Sequence, residues 1–242
     1  MRRLDLSGSS LLALVLVACG GGAPSAPSEP SASRSVPLPT PTAVATVGAP
    51  APAAAPRVVF LGDSLTAGFG LGEEQAFPAR VGELMAARGT PIAVVNGGVS
   101  GDTSAGALER VDWLLSRPAA VVVVSIGAND GLRGQPVENV EANLRAIVRR
   151  AKAAGARVLV TGQKIPINYG PDYARAFESL YPRVAREEGV ALLPFLLEGV
   201  AMRPELNQAD GIHPTPEGQE IVARHVAEAL APLLREARRA AG

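Results

Sequence analysis

Cysteine and histidine are scarce in this chain, and their scarcity limits the chemistry that the protein can perform. The 242 residues include one cysteine, which excludes an intrachain disulfide, and two histidines, His213 and His225. The aspartates are dispersed along the chain, so the sequence offers no cluster of ligands that predicts a zinc site. We therefore expect a protein that uses neither a metal ion nor another cofactor.

A charge excess of either sign is also absent. Lysine plus arginine and aspartate plus glutamate both number 23, and aromatic residues make up only 4% of the chain. The cations are scattered, and no basic run is interleaved with aromatic residues, so the sequence lacks the pattern of a nucleic-acid-binding protein. We expect no nucleic-acid partner.

The amino terminus has the layout of a secretory signal peptide. Two arginines at positions 2 and 3 precede an apolar run at 11–18, which is much shorter than the about 20 residues that span a bilayer. The stretch LVAC (16–19) resembles a bacterial lipobox, in which the cysteine becomes the lipidated first residue of the mature protein. The alternative is an ordinary signal peptide with an incidental cysteine. We predict a lipoprotein signal peptide at 1–18 and lipidation at Cys19, which would anchor the protein to a membrane of the bacterial cell envelope, facing the periplasm or the exterior.

Large apolar side chains are nearly missing from the segment that follows. Residues 19–56 consist mainly of proline, alanine and serine, with some glycine and threonine. Such a segment cannot bury enough apolar surface to offset the entropy lost on ordering, so it predicts an extended tether. The folded domain is then expected at 57–242, a length that suits one domain.

The remaining 186 residues alternate short apolar runs with longer stretches of helical periodicity. Strands are predicted at 57–61, 92–96, 120–126, 157–162 and 190–195, and helices near 73–88, 104–116, 137–154, 171–188 and 216–238. The runs are almost continuously apolar, which is typical of strands covered on both faces. The pattern predicts a five-stranded parallel sheet in a three-layer α/β/α fold, whose ligands bind beyond the carboxyl ends of the strands.

A serine follows the first predicted strand, where its hydroxyl would be exposed at this edge of the sheet. A serine nucleophile needs a base, and the base needs an orienting group. His225 lies within a helical pattern, whereas His213 lies in a loop rich in glycine and proline, three residues after Asp210. Ser64, His213 and Asp210 are therefore the candidate catalytic residues, with Asp63 interpreted as a turn and cap residue.

Two further loops offer hydrogen-bond donors. The glycine-rich stretch at 96–106 contains Gly101 and ends in residues that could cap the next helix, and Asn129 follows the central strand. Acyl transfer develops negative charge on a carbonyl oxygen, and fixed N–H donors directed at that oxygen stabilise it. On spacing alone, a turn glycine and an Asx-turn are equally good interpretations. Ser64, Gly101, Asn129 and Gln163 each follow a strand or its loop and are expected on one edge of the sheet.

Four ordered blocks of the domain resemble the GDSL, or SGNH, hydrolase family, and the likeness is greatest to its bacterial thioesterase I/lysophospholipase and arylesterase types. The blocks are Gly62-Asp63-Ser64-Leu65, Gly101, Gly127-Ala128-Asn129-Asp130 and Asp210-Gly211-Ile212-His213-Pro214. The resemblance implies a flavodoxin-like sheet, no metal, and hydrolysis of acyl esters or thioesters.

The same resemblance implies a role for each matching residue. Ser64 would be the nucleophile, His213 the base and Asp210 the group that orients it. The backbone N–H groups of Ser64 and Gly101, with the side chain of Asn129, would form the oxyanion hole.

The function expected from these observations is a serine esterase. Its partners would be a small acyl ester, a thioester or a lysophospholipid, and the protein is expected to be monomeric. Two alternatives remain: a carbohydrate O-deacetylase acting on envelope polysaccharide, and a surface binding module that has lost catalysis.

Overall fold

The computed structural model describes residues 55–241. The predicted signal peptide, Cys19 and the predicted tether as far as residue 54 lie outside the described residues. Five strands form the sheet: β1 (Arg57–Gly62), β2 (Ala93–Gly98), β3 (Val121–Ser125), β4 (Arg157–Thr161) and β5 (Ala191–Leu193).

Seven helices connect and cover these strands in the described part of the chain. They are α1 (Ser64–Ala67), α2 (Phe77–Ala87), α3 (Ser104–Leu114), α4 (Ala128–Leu132), α5 (Val137–Ala153), α6 (Pro171–Glu188) and α7 (Pro216–Ala241). Short 3₁₀ turns occupy Glu73–Gln75, Ile167–Tyr169 and Pro204–Leu206.

The sheet has the strand order β2-β1-β3-β4-β5, and every neighbouring pair is parallel. This is the flavodoxin-like order, in which the chain direction across the sheet reverses beside β1. The predicted three-layer α/β/α fold is confirmed. Because all strands point the same way, their carboxyl ends meet at one edge, and the loops that follow them are brought together there.

Alternate side chains of each strand enter two separate cores. Val59 and Leu61 of β1 pack with α3, α5 and α6, whereas Val58 and Phe60 pack with α2 and α7. The three inner strands are buried on both faces, which explains their almost continuously apolar sequences. All residues of the two cores lie within the described part of the chain, so the domain has the apolar interior that it needs to fold as a unit.

The edge strands differ from the expectation of full burial. The side chains of β2 are mostly half-buried, and β5 is half-buried along its whole length. Each has a neighbouring strand on one side only, and β5 ends after three residues, one residue before Pro194. The predicted run at 190–195 was therefore too long.

The sequence pattern also missed α1 and α4 and overextended one helix. The helix predicted at 73–88 divides into a 3₁₀ turn and α2, because Ala76 between them has an extended backbone with a φ of −66° and a ψ of 144°. Pro78 lies in the first turn of α2, where a missing N–H costs nothing.

Within residues 55–241, no helix combines the length and the apolar character that crossing a bilayer requires.

Candidate active site

The turn between β1 and α1 exposes Ser64 at the carboxyl edge of the sheet. Asp63 caps α1, as predicted, because its Oδ1 accepts a hydrogen bond from the backbone N–H of Leu65 at 3.0 Å. Gly62 is required here by space: a Cβ at this position would lie 2.0 Å from Thr66 Oγ1 and 2.6 Å from the carbonyl oxygen of Ser125. The packing of this position against α1 and β3 therefore leaves no room for a side chain before the serine.

His213 contacts this serine although it lies 149 residues away along the chain. The Nε2 atom of His213 lies 2.9 Å from Ser64 Oγ, and its Nδ1 atom lies 2.7 Å from Asp210 Oδ2. The other carboxylate oxygen of Asp210 accepts the backbone N–H groups of Ile212 and His213, each at 3.0 Å. The three predicted residues thus form one hydrogen-bonded chain, in which the loop holds the carboxylate and the carboxylate holds the imidazole.

His225 lies elsewhere, in the middle of α7. It is half-buried, and its Nδ1 atom has no hydrogen-bond partner among the described residues. Its neighbours Val222 and Val226 pack in the core formed by α2 and α7. The structure therefore brings only one of the two histidines to Ser64.

The pKa values of the two carboxyls near Ser64 are shifted in opposite directions. The hydrogen bond from the His213 side chain, supported by the backbone N–H groups of Ile212 and His213, lowers the pKa of Asp210 to about 2. Burial raises the pKa of Asp63 to about 6, although the N–H of Leu65 and the nearby His213 oppose that rise. Asp210 is thus ionised at neutral pH, and its carboxylate lies in hydrogen-bond contact with the imidazole of His213.

Gly101 and Asn129 also reach this edge of the sheet. Gly101 lies in the loop between β2 and α3 with a φ of 79°, a conformation that side-chain-bearing residues rarely adopt. Asn129 is the second residue of α4, which follows β3 after a left-handed glycine, Gly127. Both residues line the same cleft as Ser64 and His213, and this cleft has a volume of about 800 Å³.

The walls of the cleft are mainly apolar. Gln163, which was expected at this edge, lies in the wall, where its Nε2 donates to Ser125 Oγ at 3.3 Å and to Thr161 Oγ1 at 3.4 Å. The apolar part of the wall includes Leu65, Ile165, Phe195 and Leu197. A ligand that enters this cleft meets hydrocarbon on most sides and polar groups near Ser64.

An arginine that sequence reasoning missed ties together the loops around Ser64. Arg110 of α3 donates to the carbonyl oxygens of Gly97 at 2.6 Å and Gly62 at 2.8 Å, and its Nε donates to Asp102 Oδ2 at 2.7 Å. These acceptors belong to the ends of β2 and β1 and to the loop that carries Gly101. Contacts to backbone carbonyl oxygens cannot be recognised from a sequence. The one feature that could have indicated a contact of Arg110 was the acidic residue Asp102 in the preceding loop.

A second buried contact joins α3 to α4. Both carboxylate oxygens of Asp130 accept hydrogen bonds from Ser104, one from its backbone N–H at 2.8 Å and one from its hydroxyl at 2.7 Å. Thr103 caps α3 through its side chain, as the sequence indicated for this loop. Asp130 is adjacent to Asn129, so this contact fixes the turn that presents the asparagine.

Several known proteins resemble this chain over about 75% of its length. Residues 60–221 match the model of the GDSL-like lipase/acylhydrolase family. The chain belongs to this family. Esterase TesA of Pseudomonas aeruginosa is 43% identical over 182 residues, which cover 75% of this chain and 90% of the relative. Thioesterase 1/protease 1/lysophospholipase L1 of Escherichia coli K12 is 40% identical over 182 residues, covering 75% and 86% of the two chains.

The solved structure of an esterase shows the same fold at lower identity. The psychrotrophic esterase EstA of Pseudoalteromonas is 33% identical with a TM-score of 0.71, covering 74% of this chain and 98% of that chain. Almost the whole of that solved protein therefore corresponds to the domain described above, which supports independent folding of this domain.

The predicted family and enzyme class are confirmed. The protein is a carboxylic ester hydrolase of the GDSL/SGNH family, of the esterase, thioesterase and lysophospholipase type.

Proposed function

We propose that the protein is a serine esterase in which Ser64 is the nucleophile, His213 the general base and Asp210 the orienting carboxylate. The observation that carries this proposal is the hydrogen-bonded chain from Ser64 Oγ through His213 to Asp210, in which Ser64 and His213 line an apolar cleft. Serine, histidine and aspartate in this order are sufficient for nucleophilic acyl transfer without a metal ion.

The proposed reaction has two halves. Ser64 Oγ attacks the substrate carbonyl while His213 Nε2 takes the hydroxyl proton, and the same proton then passes to the leaving alcohol or thiol. Water attacks the resulting acyl-serine, with His213 again acting as the base. Asp210 keeps the Nδ1–H of the imidazole directed towards itself, and its negative charge stabilises the imidazolium that forms in each half.

The proposed oxyanion hole consists of the backbone N–H groups of Ser64 and Gly101 and the side-chain amide of Asn129. The support for this set is that the three residues line one cleft and follow three different strands, β1, β2 and β3, at the same edge of the sheet. Gly101 has an exposed, open position, so a substrate carbonyl can approach its N–H closely. The contacts made by Arg110 and Asp130 hold the loops that carry Gly101 and Asn129.

The proposed substrates are small acyl esters, thioesters and lysophospholipids. A cleft of about 800 Å³ lies within the range of small-molecule sites, and its apolar wall suits a hydrocarbon chain. EstA was solved with monoethylphosphonate as an inhibitor. Phosphonates react with activated serine hydroxyls, so this inhibition supports a serine nucleophile in the present chain as well.

The proposed location is the bacterial cell envelope. The stretch LVAC at 16–19 supports cleavage before Cys19 and lipidation of that cysteine. Residues 19–56 would then tether a monomeric domain, which begins at residue 57, to a membrane and hold it in the periplasm or outside the cell.

Labelling with a fluorophosphonate, followed by mass spectrometry of the labelled peptide, tests the nucleophile. We expect modification of wild-type protein at Ser64, none in Ser64→Ala, and a loss of about 10⁴-fold or more in kcat on a nitrophenyl ester for that variant. Near-normal hydrolysis by folded Ser64→Ala would overturn the proposal. An unlabelled wild-type protein would favour the non-catalytic binding module.

The two histidines provide a matched test of the base. His213→Ala should lose nearly as much activity as Ser64→Ala, whereas His225→Ala should retain activity within about twofold, because His225 does not contact the serine. The double variant Ser64→Ala/His213→Ala should be hardly worse than either single variant, since the two residues act as a unit. Equal losses at both histidines would show that His213 is not the base.

A further inference from the structure

The large apolar side chains that remain exposed on this domain are concentrated around one opening. Eight such side chains are exposed among the described residues, and five of them line the cleft that contains Ser64. Two more adjoin the lining: Val99 precedes Ser100, and Tyr169 follows Asn168. The five that line the cleft are Phe69, Leu132, Ile167, Met202 and Ile212.

The most exposed members of this set make the opening unusually apolar. Met202 is 95% exposed and Ile167 is 70% exposed. Met202 also has a φ of 62°, the only positive value among the described residues other than glycine. Single exposed apolar residues are ordinary, but an exposed group gathered around one opening marks an interaction surface. We call the five lining residues the apolar rim.

We propose that the apolar rim docks on a lipid surface, so that the cleft opens directly towards acyl chains in the membrane. The biological role of this docking rests on the proposed esterase function, because a lysophospholipid presents its ester at such a surface. The rim itself is a property of the fold and can be tested without any hydrolysis.

Charge around the opening favours a neutral lipid surface over an acidic partner. Among the described residues that line the cleft, Lys164 is the one cation with an exposed side chain, and its Nζ lies 3.2 Å from Glu178 Oε1. This ion pair carries no net charge, and the exposed Arg133, which donates to the carbonyl oxygen of Gly101 at 3.1 Å, is offset by the exposed carboxylate of Asp210, so little net charge remains to attract an anionic surface. Binding should therefore depend on the apolar area inserted, and zwitterionic and anionic vesicles should be bound about equally.

The segment that precedes β1 is long enough to allow this orientation. The domain begins with Arg57 at the amino end of β1, which is the opposite edge of the sheet from the cleft. The 37 residues from Gly20 to Pro56 can extend to about 120 Å. A domain of this size has a diameter of about 40 Å. An anchor at Cys19 would therefore not prevent the rim from facing the membrane.

Co-sedimentation with phosphatidylcholine vesicles tests the rim directly. The protein is the isolated domain, residues 55–242, carrying Ser64→Ala so that no lipid is hydrolysed during the measurement. We expect binding that Ile167→Ser/Met202→Ser weakens by about tenfold or more, because each change removes apolar area from the inserted surface. Trp113→Ser is the matched control: Trp113 on α3 is 75% exposed but does not line the cleft, and its replacement should leave vesicle binding unchanged.

Three results would overturn the proposal. The first is an absence of vesicle binding by the Ser64→Ala domain. The second is an equal loss of binding in the rim variant and in Trp113→Ser. The third is a concentration-dependent dimer in analytical ultracentrifugation that the rim variant abolishes, without vesicle binding, which would make the rim an interface between two copies. Because catalysis is absent from the assay, these results are independent of whether the proposed function is correct.

Discussion

Asp63 precedes Ser64, the proposed nucleophile, and Asp210 contacts His213, the proposed base, and the surroundings of the two carboxyls give them opposite properties. Asp63 is almost completely buried, and its Oδ2 has no hydrogen-bond partner among the described residues. Asp210 is exposed and accepts three hydrogen bonds from its own loop. Burial destabilises one carboxylate, and hydrogen bonding stabilises the other. The two residues should therefore affect folding stability in different pH ranges.

The raised pKa of Asp63 predicts a loss of stability as pH rises from about 4 to 6. Its folded pKa of about 6 exceeds the ordinary value of 3.8, so in this interval the folded protein retains a proton that the unfolded chain has lost. Stability falls with pH wherever the folded state binds more protons, and the full effect is about 3 kcal/mol. Asp63→Asn keeps a side-chain oxygen for capping and should remove this part of the pH dependence.

Urea denaturation of wild type and Asp63→Asn at pH 4, 5, 6 and 7 measures this effect. The free energy of unfolding of the variant relative to wild type should increase steadily from pH 4 to 6 and then level off. Asp210 changes stability mainly between its folded pKa of about 2 and its ordinary value of 3.8, which lies below this window, and it is present in both proteins. A difference between the two proteins that is the same at every pH would contradict the raised pKa.

Asn129 provides a test of the oxyanion hole at a single side chain. Asn129→Ala should lower kcat by about 10²–10³-fold and change KM little, because an oxyanion donor acts mainly in the transition state. Asn139→Ala, at an exposed position of α5, is the control and should have wild-type kinetics. An increase in KM alone would make Asn129 a substrate contact instead.

Among the elements of the fold, the inner strands were predictable and the short helices were not. Strands such as β3, VVVVS, are buried on both faces and are therefore recognisable from composition alone. The four-residue α1 and the five-residue α4 are too short to show a helical period. In the structure α1 is held by the local Asp63 cap, and α4 is held by the tertiary contact of Asp130 with Ser104.

Arg110 should act as a positioning residue through the elements that it joins. Arg110→Met would release the carbonyl oxygens of Gly62 and Gly97 and leave Asp102, which is mostly buried, without its partner. Misplacement of a catalytic loop by about 1 Å can cost about 10²-fold in rate. We expect kcat to fall by about 10–100-fold with a smaller change in KM, and the protein to be less stable.

Arg150→Met is the matched control for this prediction. Arg150 also bridges to α3, through Asp112 and the carbonyl oxygen of Leu108, but both side chains of this ion pair are exposed. Exposed pairs contribute little, so stability should change by less than about 1 kcal/mol and kcat should not change. Thermal unfolding and nitrophenyl ester kinetics compare the two variants. Equal kinetics for both would show that the loops do not depend on Arg110.

At the scale of the whole molecule, the sheet topology explains why distant residues could be assigned to one site from sequence. Ser64 follows β1, Asn129 follows β3 and His213 precedes α7, and parallel strands bring these loops to one edge. The positions of polar residues after apolar runs therefore indicated Ser64, Gly101, Asn129 and Gln163, whereas His213 was chosen because it lies in a loop three residues after Asp210. The sequence could not indicate the apolar rim, because Phe69, Met202 and Ile212 share no periodic pattern and meet only in the folded domain.

The amino-terminal segment should determine where the enzyme is found and should leave its chemistry unchanged. Cleavage before Cys19 and lipidation would attach the mature protein to a membrane; a single short acyl chain binds only marginally, whereas a lipoprotein amino terminus carries several. In Cys19→Ala the protein should move from the membrane fraction to the soluble or unprocessed fraction. The domain of residues 55–242 should hydrolyse soluble short-chain esters at the wild-type rate, because every residue of the proposed site lies within it.

Cell fractionation, with mass measurement of the mature amino terminus, compares wild type and Cys19→Ala. Wild type should begin at a Cys19 that carries the added mass of the lipid. A wild-type protein that is soluble and unmodified at Cys19 would leave only the ordinary signal peptide. The apolar rim also affects the result of this experiment. Weak binding of the rim to lipid should retain part of the Cys19→Ala protein in the membrane fraction. Ile167→Ser/Met202→Ser should release that remaining fraction, so combining both changes separates the contribution of the anchor from that of the rim.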